Sequence, residues 1–251
     1  MTHEITEEPM SCARLSLTAC LLLTCLHATP AHALFAPYVR VGFGGNRQMM
    51  HAVNDAIAAD IGWAAAGGVP VSAHPVSPGY GAAVSAGLWI VPFLRVGATY
   101  GRQHTRDDYE YRQTGFLYKN DFTFGMRETG LEAAVRLRSL GGFTFGGTAA
   151  LSRGRADEAF ALENVHGTYY ENFTSYRERR TYGAFFGFDR TAPNGVAGFI
   201  QAGYQWRAMG SMPGTFQISD NGTNSVVDSQ TVPVDFSGWS VRAGCGFDLH
   251  R

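Results

Sequence analysis

The alternating stretch at residues 239–249 is the feature that most limits what this chain can fold into. Its odd-numbered residues are apolar, from Trp239 through Phe247 to Leu249, and the residues between them are polar or glycine. Consecutive side chains of a strand point to opposite faces, so this pattern predicts a strand with one apolar and one polar face.

The same alternation recurs in seven earlier segments: 38–44, 80–89, 93–104, 122–138, 143–153, 177–189 and 196–208. The connections alternate between long and short, and the long ones are 45–79, 103–120, 154–176 and 209–234. An even strand number with this alternation is typical of bacterial outer-membrane barrels, whose outside loops are the longer ones. We therefore predict an all-β, eight-stranded antiparallel up-and-down transmembrane β-barrel with four extracellular loops and both termini in the periplasm. Helical spacing at 49–63 predicts a helix in the first loop, and the last loop has the pattern of a hairpin.

The N-terminal segment predicts export. A basic residue, Arg14, precedes an apolar run at 15–26 and a small-residue box at 31–33, which together indicate a secretory signal peptide at 1–33. The barrel is then expected at 34–251. Three glutamates before Arg14 are unusual for such a signal. The first translated residue is therefore either Met1 or Met10.

Composition agrees with a barrel and excludes some partners. Charged residues make up 16% of the chain and 31 residues are glycine, as expected where small lumen residues alternate with apolar lipid-facing ones. Removal of residues 1–33 leaves 19 basic and 18 acidic residues, which gives no support for a nucleic-acid partner. Cys245 would be the one remaining cysteine, so no intrachain disulfide is expected.

Most charges inside the predicted strands fall on the polar face, which would line the lumen. The exceptions are Arg153, Glu178 and Arg180, which lie at the loop-proximal ends of their strands, where the strands should leave the bilayer. The predicted lumen network consists of Arg40, Arg95, Glu132, Arg136 and Arg242. The interior of an eight-stranded barrel is just wide enough to be filled by side chains, so we expect Glu132 to pair with one or more of these arginines and to help close the lumen. The alternative is a small-solute, porin-like channel.

The segment at 37–45, Pro-Tyr-Val-Arg-Val-Gly-Phe-Gly-Gly, together with eight strands, four long loops and a glycine- and aromatic-rich last strand, resembles a group of small outer-membrane barrels. This group includes the OmpA membrane domain and the OmpX-like and opacity-like surface proteins. The resemblance covers residues 34–251 and implies a monomeric surface protein with a role in adhesion or envelope integrity. It also implies contacts with outer-membrane lipid and lipopolysaccharide, and assembly by the barrel-assembly machinery. Members usually end on an aromatic assembly signal, for which the candidates here are Trp239, Phe247 and Leu249.

The long loops are the predicted interaction surface, because exposed tyrosine and arginine dominate binding surfaces. The candidate contact residues for an extracellular or host ligand are Tyr109, Tyr111, Arg112, Tyr169, Tyr170 and Phe173. The alternative is that these segments are barrel strands that project outward, with aromatic residues pairing across strands.

Enzymatic and metal sites have weaker sequence support. Some small outer-membrane barrels modify lipid acyl chains with a serine and a histidine near the rim; the nearest approach here is His104 beside Thr105, with Glu110 further along. The histidines predicted on the loop side, His51, His74, His104 and His166, have no ligand spacing. We therefore expect no catalytic residue, metal or cofactor.

Overall fold

The computed structural model describes residues 35–48, 50–72, 76 and 79–249 of the 251-residue chain. The predicted signal peptide and both candidate start sites lie outside this part. The strands are β1 (Ala36–Gln48), β2 (Gly79–Val91), β3 (Leu94–Gln113), β4 (Phe116–Leu137), β5 (Phe143–Asn164), β6 (Gly167–Thr191), β7 (Val196–Trp206), β8 (Ala208–Asp220), β9 (Thr223–Asp235) and β10 (Gly238–Asp248). The helix α1 spans His51–Ala66, within the first predicted loop.

Eight of the strands close into a ring of antiparallel pairs. Their order is β5-β4-β3-β2-β1-β10-β7-β6, and β6 pairs with β5 to complete the circle. The seam runs between the first and last strands, with Tyr38 opposite Asp248 at one end and Gln48 opposite Gly238 at the other. The predicted eight-stranded up-and-down barrel is therefore confirmed.

The pairing register fixes the tilt of the strands. A row of directly opposed residues that starts at Phe43 on β1 reaches Glu178 on β6 in one direction. In the other direction it reaches Phe188 on the same strand, ten residues away. With a rise of ~3.3 Å per residue, this stagger tilts the strands by about 40° from the barrel axis. Such a row therefore climbs along the barrel as it crosses successive strands.

The two faces of the ring have opposite character. The outer face carries exposed apolar side chains, among them Val39, Phe43, Val84, Leu131, Phe145, Phe186, Ile200, Val241 and Phe247. The inner face buries polar and charged groups, such as Arg40, Arg95 and Glu132. A soluble monomer rarely exposes a continuous apolar surface of this extent, so the outer face is suited to an apolar solvent.

We call the end of the ring with the three tight connections (β2–β3, β4–β5 and β6–β7) the short-turn end, and the other the long-hairpin end. At the long-hairpin end, β3 to β6 continue as paired strands of 20 to 25 residues. The segments 103–120 and 154–176 are therefore mostly strand rather than loop. Their backbone groups are paired across two hairpins, which satisfies hydrogen-bonding groups that a loop would leave to water.

The last predicted loop also forms a hairpin, made of β8 and β9. In β6, residues 169–175 pair with β8, so six strands in the order β3-β4-β5-β6-β8-β9 form an open sheet beyond the ring. We call this sheet the platform. The helix α1 lies on its inner side and buries Val53, Ile57 and Ala64. No helix in the described ranges is long and apolar enough to cross a membrane.

Candidate functional site: the lumen and the platform

The first charged group of the lumen lies toward the short-turn end and is called the lower cluster. It joins three arginines to three carboxylates: Arg40, Arg95, Arg136, Glu132, Asp189 and Asp248. Strand parity points all six side chains inward, and each is almost fully buried. Because the six formal charges balance, the cluster meets the condition under which buried charges are tolerated.

The hydrogen bonds of the lower cluster cross the whole lumen. Arg40 on β1 donates to Asp189 on β6, and through its second amino group to both carboxylate oxygens of Asp248 on β10, at 3.0 and 3.1 Å. Arg95 on β3 donates to Glu132 at 3.1 Å and to Asp189 at 2.7 Å. Side chains from five strands of the ring thus meet at one level and occupy its cross-section.

Arg136 and Trp89 complete the lower cluster. The Arg136 guanidinium lies 4.1 Å from the ring centroid of the fully buried Trp89, within the range of a cation–π contact. It also donates to Thr191 at 3.2 Å and lies 3.7 Å from Asp248. On the short-turn side, a vestibule of about 460 Å³ is lined by Arg136 and Asp189 with residues of the adjoining turns.

A second charged group, the upper cluster, lies nearer the long-hairpin end. Glu128 on β4 accepts hydrogen bonds from both the Nε and an amino group of Arg207, the former at 2.7 Å. Ser152 also donates to Glu128, at 3.0 Å, and lies 2.6 Å from Thr181. All four side chains are buried, so the lumen is occupied by paired polar groups at two levels.

The predicted lumen residues do not all meet. Arg40, Arg95, Glu132 and Arg136 come together, with Glu132 paired to Arg95. Arg242 does not join them: it lies six residues up β10 from Asp248, is half-buried, and makes no ion pair with any described residue. Our expectation grouped it with the others by parity alone, which gives the face of a strand but not the level.

Four charged lumen residues were missing from the predicted network: Glu128, Asp189, Arg207 and Asp248. Asp189 and Asp248 stand at strand ends, two residues beyond Gly187 and Gly246, which have the same inward parity. Extending the inward parity of each strand to its last residue would have found both.

The platform buries two of the predicted ligand-contact residues. Tyr109 and Phe173 are only 4% and 2% exposed, because odd-numbered residues of β3 and β6 face α1 and the inner side of the sheet. Tyr111 and Tyr169 are half-buried, and Tyr169 donates to Glu171 at 2.7 Å. Arg112 and Tyr170 are exposed. Arg112 is paired with Glu110, and Tyr170 donates to Glu163. Tyr109 and Phe173 are therefore not available as surface contacts, whereas Arg112 and Tyr170 lie on the surface of the platform.

A polar group fixes α1 to the platform. Asp60 of the helix accepts hydrogen bonds from Tyr109 and Tyr118, at 2.6 and 3.2 Å. Burial, followed by the hydrogen bond to Asp60, raises the pKa of Tyr109 above its usual range. Asn120 donates to Glu158 at 2.7 Å, and burial raises the pKa of Glu158. Between α1 and the sheet, a cavity of about 230 Å³ is lined mainly by apolar residues, with Asp60 and Glu158 at its edge.

The candidate catalytic and metal residues remain apart. His104 and Thr105 are consecutive on β3 and face opposite sides, His104 against the ring of Tyr80 and Thr105 into the interior. Glu110 is occupied by Arg112 at 3.0 Å. No three histidine, cysteine or acidic side chains in the described part are grouped as metal ligands would be, and His74 lies outside that part.

Two of the candidate assembly residues, Trp239 and Phe247, lie on the outer face of β10, and Leu249 directly follows the strand. Trp239, Phe247 and Leu249 are 56%, 59% and 65% exposed. The backbone N–H of Leu249 donates to the carbonyl of Pro37 at 2.9 Å, which extends the seam by one hydrogen bond. Their position leaves all three accessible from outside the ring.

Comparison with known proteins gives a likeness of shape. No family model matches the chain, and no curated protein matches it. Among solved structures, it is similar to the attachment invasion locus protein Ail of Yersinia pestis, with 13% identity, a TM-score of 0.43, and coverage of 86% of this chain and 99% of that one. It is also similar to the outer membrane protease OmpT of Escherichia coli, with 12% identity, a TM-score of 0.48, and coverage of 88% and 99%. A major outer membrane protein of Thermus thermophilus matches at 13% identity and a TM-score of 0.46, with coverage of 85% and 99%. At these values no activity, ligand or partner is transferred to this chain.

Proposed function

We propose that this protein is a non-conducting outer-membrane barrel that holds a folded platform at the bacterial surface. Occupation of the lumen by the lower and upper clusters carries the proposal. Buried, paired charges join β1 and β3 to Asp189 on β6, and β1 to Asp248 on β10, so the described side chains fill the cross-section that hydrated ions would have to pass. The helix α1 covers the inner side of the platform above them.

The exposed apolar outer face supports the membrane location, since closed barrels satisfy all backbone hydrogen bonds in lipid. The short turns support an orientation with both termini in the periplasm and the platform outside. Outer-membrane lipid and the barrel-assembly machinery are then the first partners. The ordered platform, with Arg112 and Tyr170 exposed, favours surface interaction or envelope integrity as the role of a monomer.

Planar-bilayer recording tests this proposal against the small-solute channel. We expect the purified barrel to give no stable conductance steps. An Arg40→Ala, Arg95→Ala double variant should give openings, because it removes the side chains that span the lower cluster. Stable steps from the unaltered protein would refute the closed lumen.

The surface role is tested by adhesion of expressing cells to immobilised matrix glycoproteins. The variant has a shortened β5–β6 hairpin, and adhesion that persists unchanged contradicts a role for that hairpin.

A further inference from the structure

Three arginines stand side by side on the outer face of the barrel. Arg102 on β3 is directly opposite Arg127 on β4, which is directly opposite Arg153 on β5. All three are exposed. We call these residues the arginine row. Directly opposed residues have Cβ atoms about 5 Å apart, and like charges in that position destabilise a sheet.

The arginine row has little internal compensation. Arg153 lies 3.7 Å from Glu178 on β6, whereas Arg102 and Arg127 form no ion pair with any residue of the described ranges. Arg180, two residues from Glu178 and also exposed, adds a fourth positive charge. One carboxylate therefore faces four guanidinium groups.

Outward basic residues nearer the hairpin tips are different, because each is paired. Arg106 and Lys119 both lie 3.1 Å from Asp121, and Arg155 lies 2.6 Å from Asp157. On the outer faces of β3, β4 and β5, the described arginines without an ion pair are thus confined to the arginine row, and Arg179 and Arg180 on the neighbouring β6 are also exposed without one. The contrast indicates that the row is complemented by an anion from outside the chain.

The level of the arginine row identifies the kind of anion. From the strand tilt and rise, its members lie roughly 15–22 Å above Phe188, which is near the short-turn end. The exposed aromatic residues Tyr80, Trp206 and Trp239 lie at about the same level, and such residues mark the boundary between membrane and water. The row is therefore placed where lipid headgroups lie, and below it the outer face is apolar.

A groove begins at one end of the arginine row. It has a volume of about 630 Å³ and is lined by residues that include Phe43, Tyr80, Ala82, Arg102 and His104. Phe43 and Tyr80 are 65% and 67% exposed and form its apolar walls around the small Ala82. On the other side, Tyr100, Leu131 and Leu151 are exposed directly below the row. Apolar chains attached to the anion would find apolar surface on both sides.

We propose that the arginine row binds the phosphate groups of a phosphorylated, multiply acylated lipid of the outer leaflet. Its phosphates lie between Arg102, Arg127 and Arg153, whose planar guanidinium groups can donate paired hydrogen bonds to phosphate oxygens. Its acyl chains lie along the outer face beneath. The inference rests on the proposed membrane location and names one lipid contact at that surface.

The test uses the full mature chain refolded in detergent and titrated with bisphosphorylated lipid A, with binding followed by native mass spectrometry. The variant is Arg102→Gln, Arg127→Gln, and the control is Arg106→Gln, Arg112→Gln, which removes two outward arginines that have carboxylate partners. We expect the variant to weaken lipid A binding by about thirtyfold, on the basis of ~1 kcal/mol per arginine at an anionic surface. The control should change it less than about threefold.

Thermal unfolding gives a second readout, because lipid A should reverse the order of stability of the row variant and the unaltered protein. Without anionic lipid, the row variant should be as stable as the unaltered protein or more stable, because like charges have been removed. With lipid A, the unaltered protein should be the more stable of the two. Equal lipid A affinity of the row variant and the control would overturn the proposal, even if both fold normally.

Two further ligands separate the lipid from other sources of phosphate. Dephosphorylated lipid A should bind weakly to the unaltered protein, about as weakly as bisphosphorylated lipid A binds to the row variant. If the unaltered protein binds both lipids with equal affinity, phosphate is not recognised. Inorganic phosphate should displace lipid A only at millimolar concentration or above, and displacement at micromolar concentration would assign the row to free anions. Lipid A binding and conductance are measured independently. If the protein does not conduct and the row variant binds lipid A normally, only the lipid-binding role of the arginine row is refuted. If the unaltered protein conducts, only the closed lumen is refuted.

Discussion

At the scale of single residues, Asp189 has the most connected position in the lumen. It accepts hydrogen bonds from Arg40 and Arg95, lies 3.9 Å from Arg136, and its side chain is fully buried. Three arginines therefore share one buried carboxylate. Removing its charge would leave three buried guanidinium groups with two carboxylates, Glu132 and Asp248. Such an uncompensated buried charge costs far more than losing an exposed pair.

We therefore predict that Asp189→Asn destabilises the barrel by about 3–5 kcal/mol. The matched control is Asp157→Asn, whose partner Arg155 is 64% exposed and whose loss should cost at most about 1 kcal/mol. Urea unfolding in lipid vesicles, followed by heat-modifiable gel mobility, measures both. Equal unfolding midpoints for the two variants would contradict the account of the lower cluster.

At the scale of elements, the docking of α1 on the platform is sensitive to protons. Glu158 lies at the edge of the cavity beneath the helix, and its pKa is raised by burial and further by Glu171 and Asp60. A carboxyl group whose pKa is higher in the folded state stabilises that state fully below its unfolded pKa of ~4.3, and this contribution is lost as pH rises through the folded pKa. Docking should therefore be tighter in acid than at neutral pH.

Hydrogen exchange of α1 backbone amides, corrected for the intrinsic effect of pH, checks this expectation. Protection should fall between pH 4 and pH 7 in the unaltered protein. Glu158→Gln, which keeps an acceptor for Asn120, should raise protection at pH 7 and flatten the pH dependence. Glu110→Gln, at an exposed ion pair with Arg112, should change neither. A pH profile that is the same with and without Glu158 would rule out this carboxyl as the cause.

At the scale of the whole molecule, closing the ring depends on β10 reaching β1. Phe247 lies on the outer face of β10 opposite Val39, and it is 59% exposed. Its side chain therefore contributes little packing within the folded chain. Its expected role is in assembly, where the last strand must be recognised before the seam forms.

We predict that Phe247→Ala lowers the folded fraction in the outer membrane, whereas Phe145→Ala, at another outward phenylalanine that is 45% exposed, leaves it near normal. Deletion of residues 250–251, which lie outside the described part, should also be tolerated. Heat-modifiable mobility of membrane fractions measures each variant. Normal mobility of the Phe247 variant would move the assembly signal to Trp239 or Leu249.

The sequence by itself determined the ring of strands and the face on which each side chain lies, because alternation is a local property of an extended chain. Inward placement of Arg40, Arg95 and Glu132 followed from that. Levels and partners did not, since they depend on the pairing register around the closed ring, which brings Arg40 to Asp189 across 149 positions of sequence. The same register placed Arg102 opposite Arg127 and Arg153 on the outer face. Tertiary structure also decided that Tyr109 and Phe173 are buried, because the sequence predicts a helix in the first loop but not that this helix packs on the inner side of the hairpins.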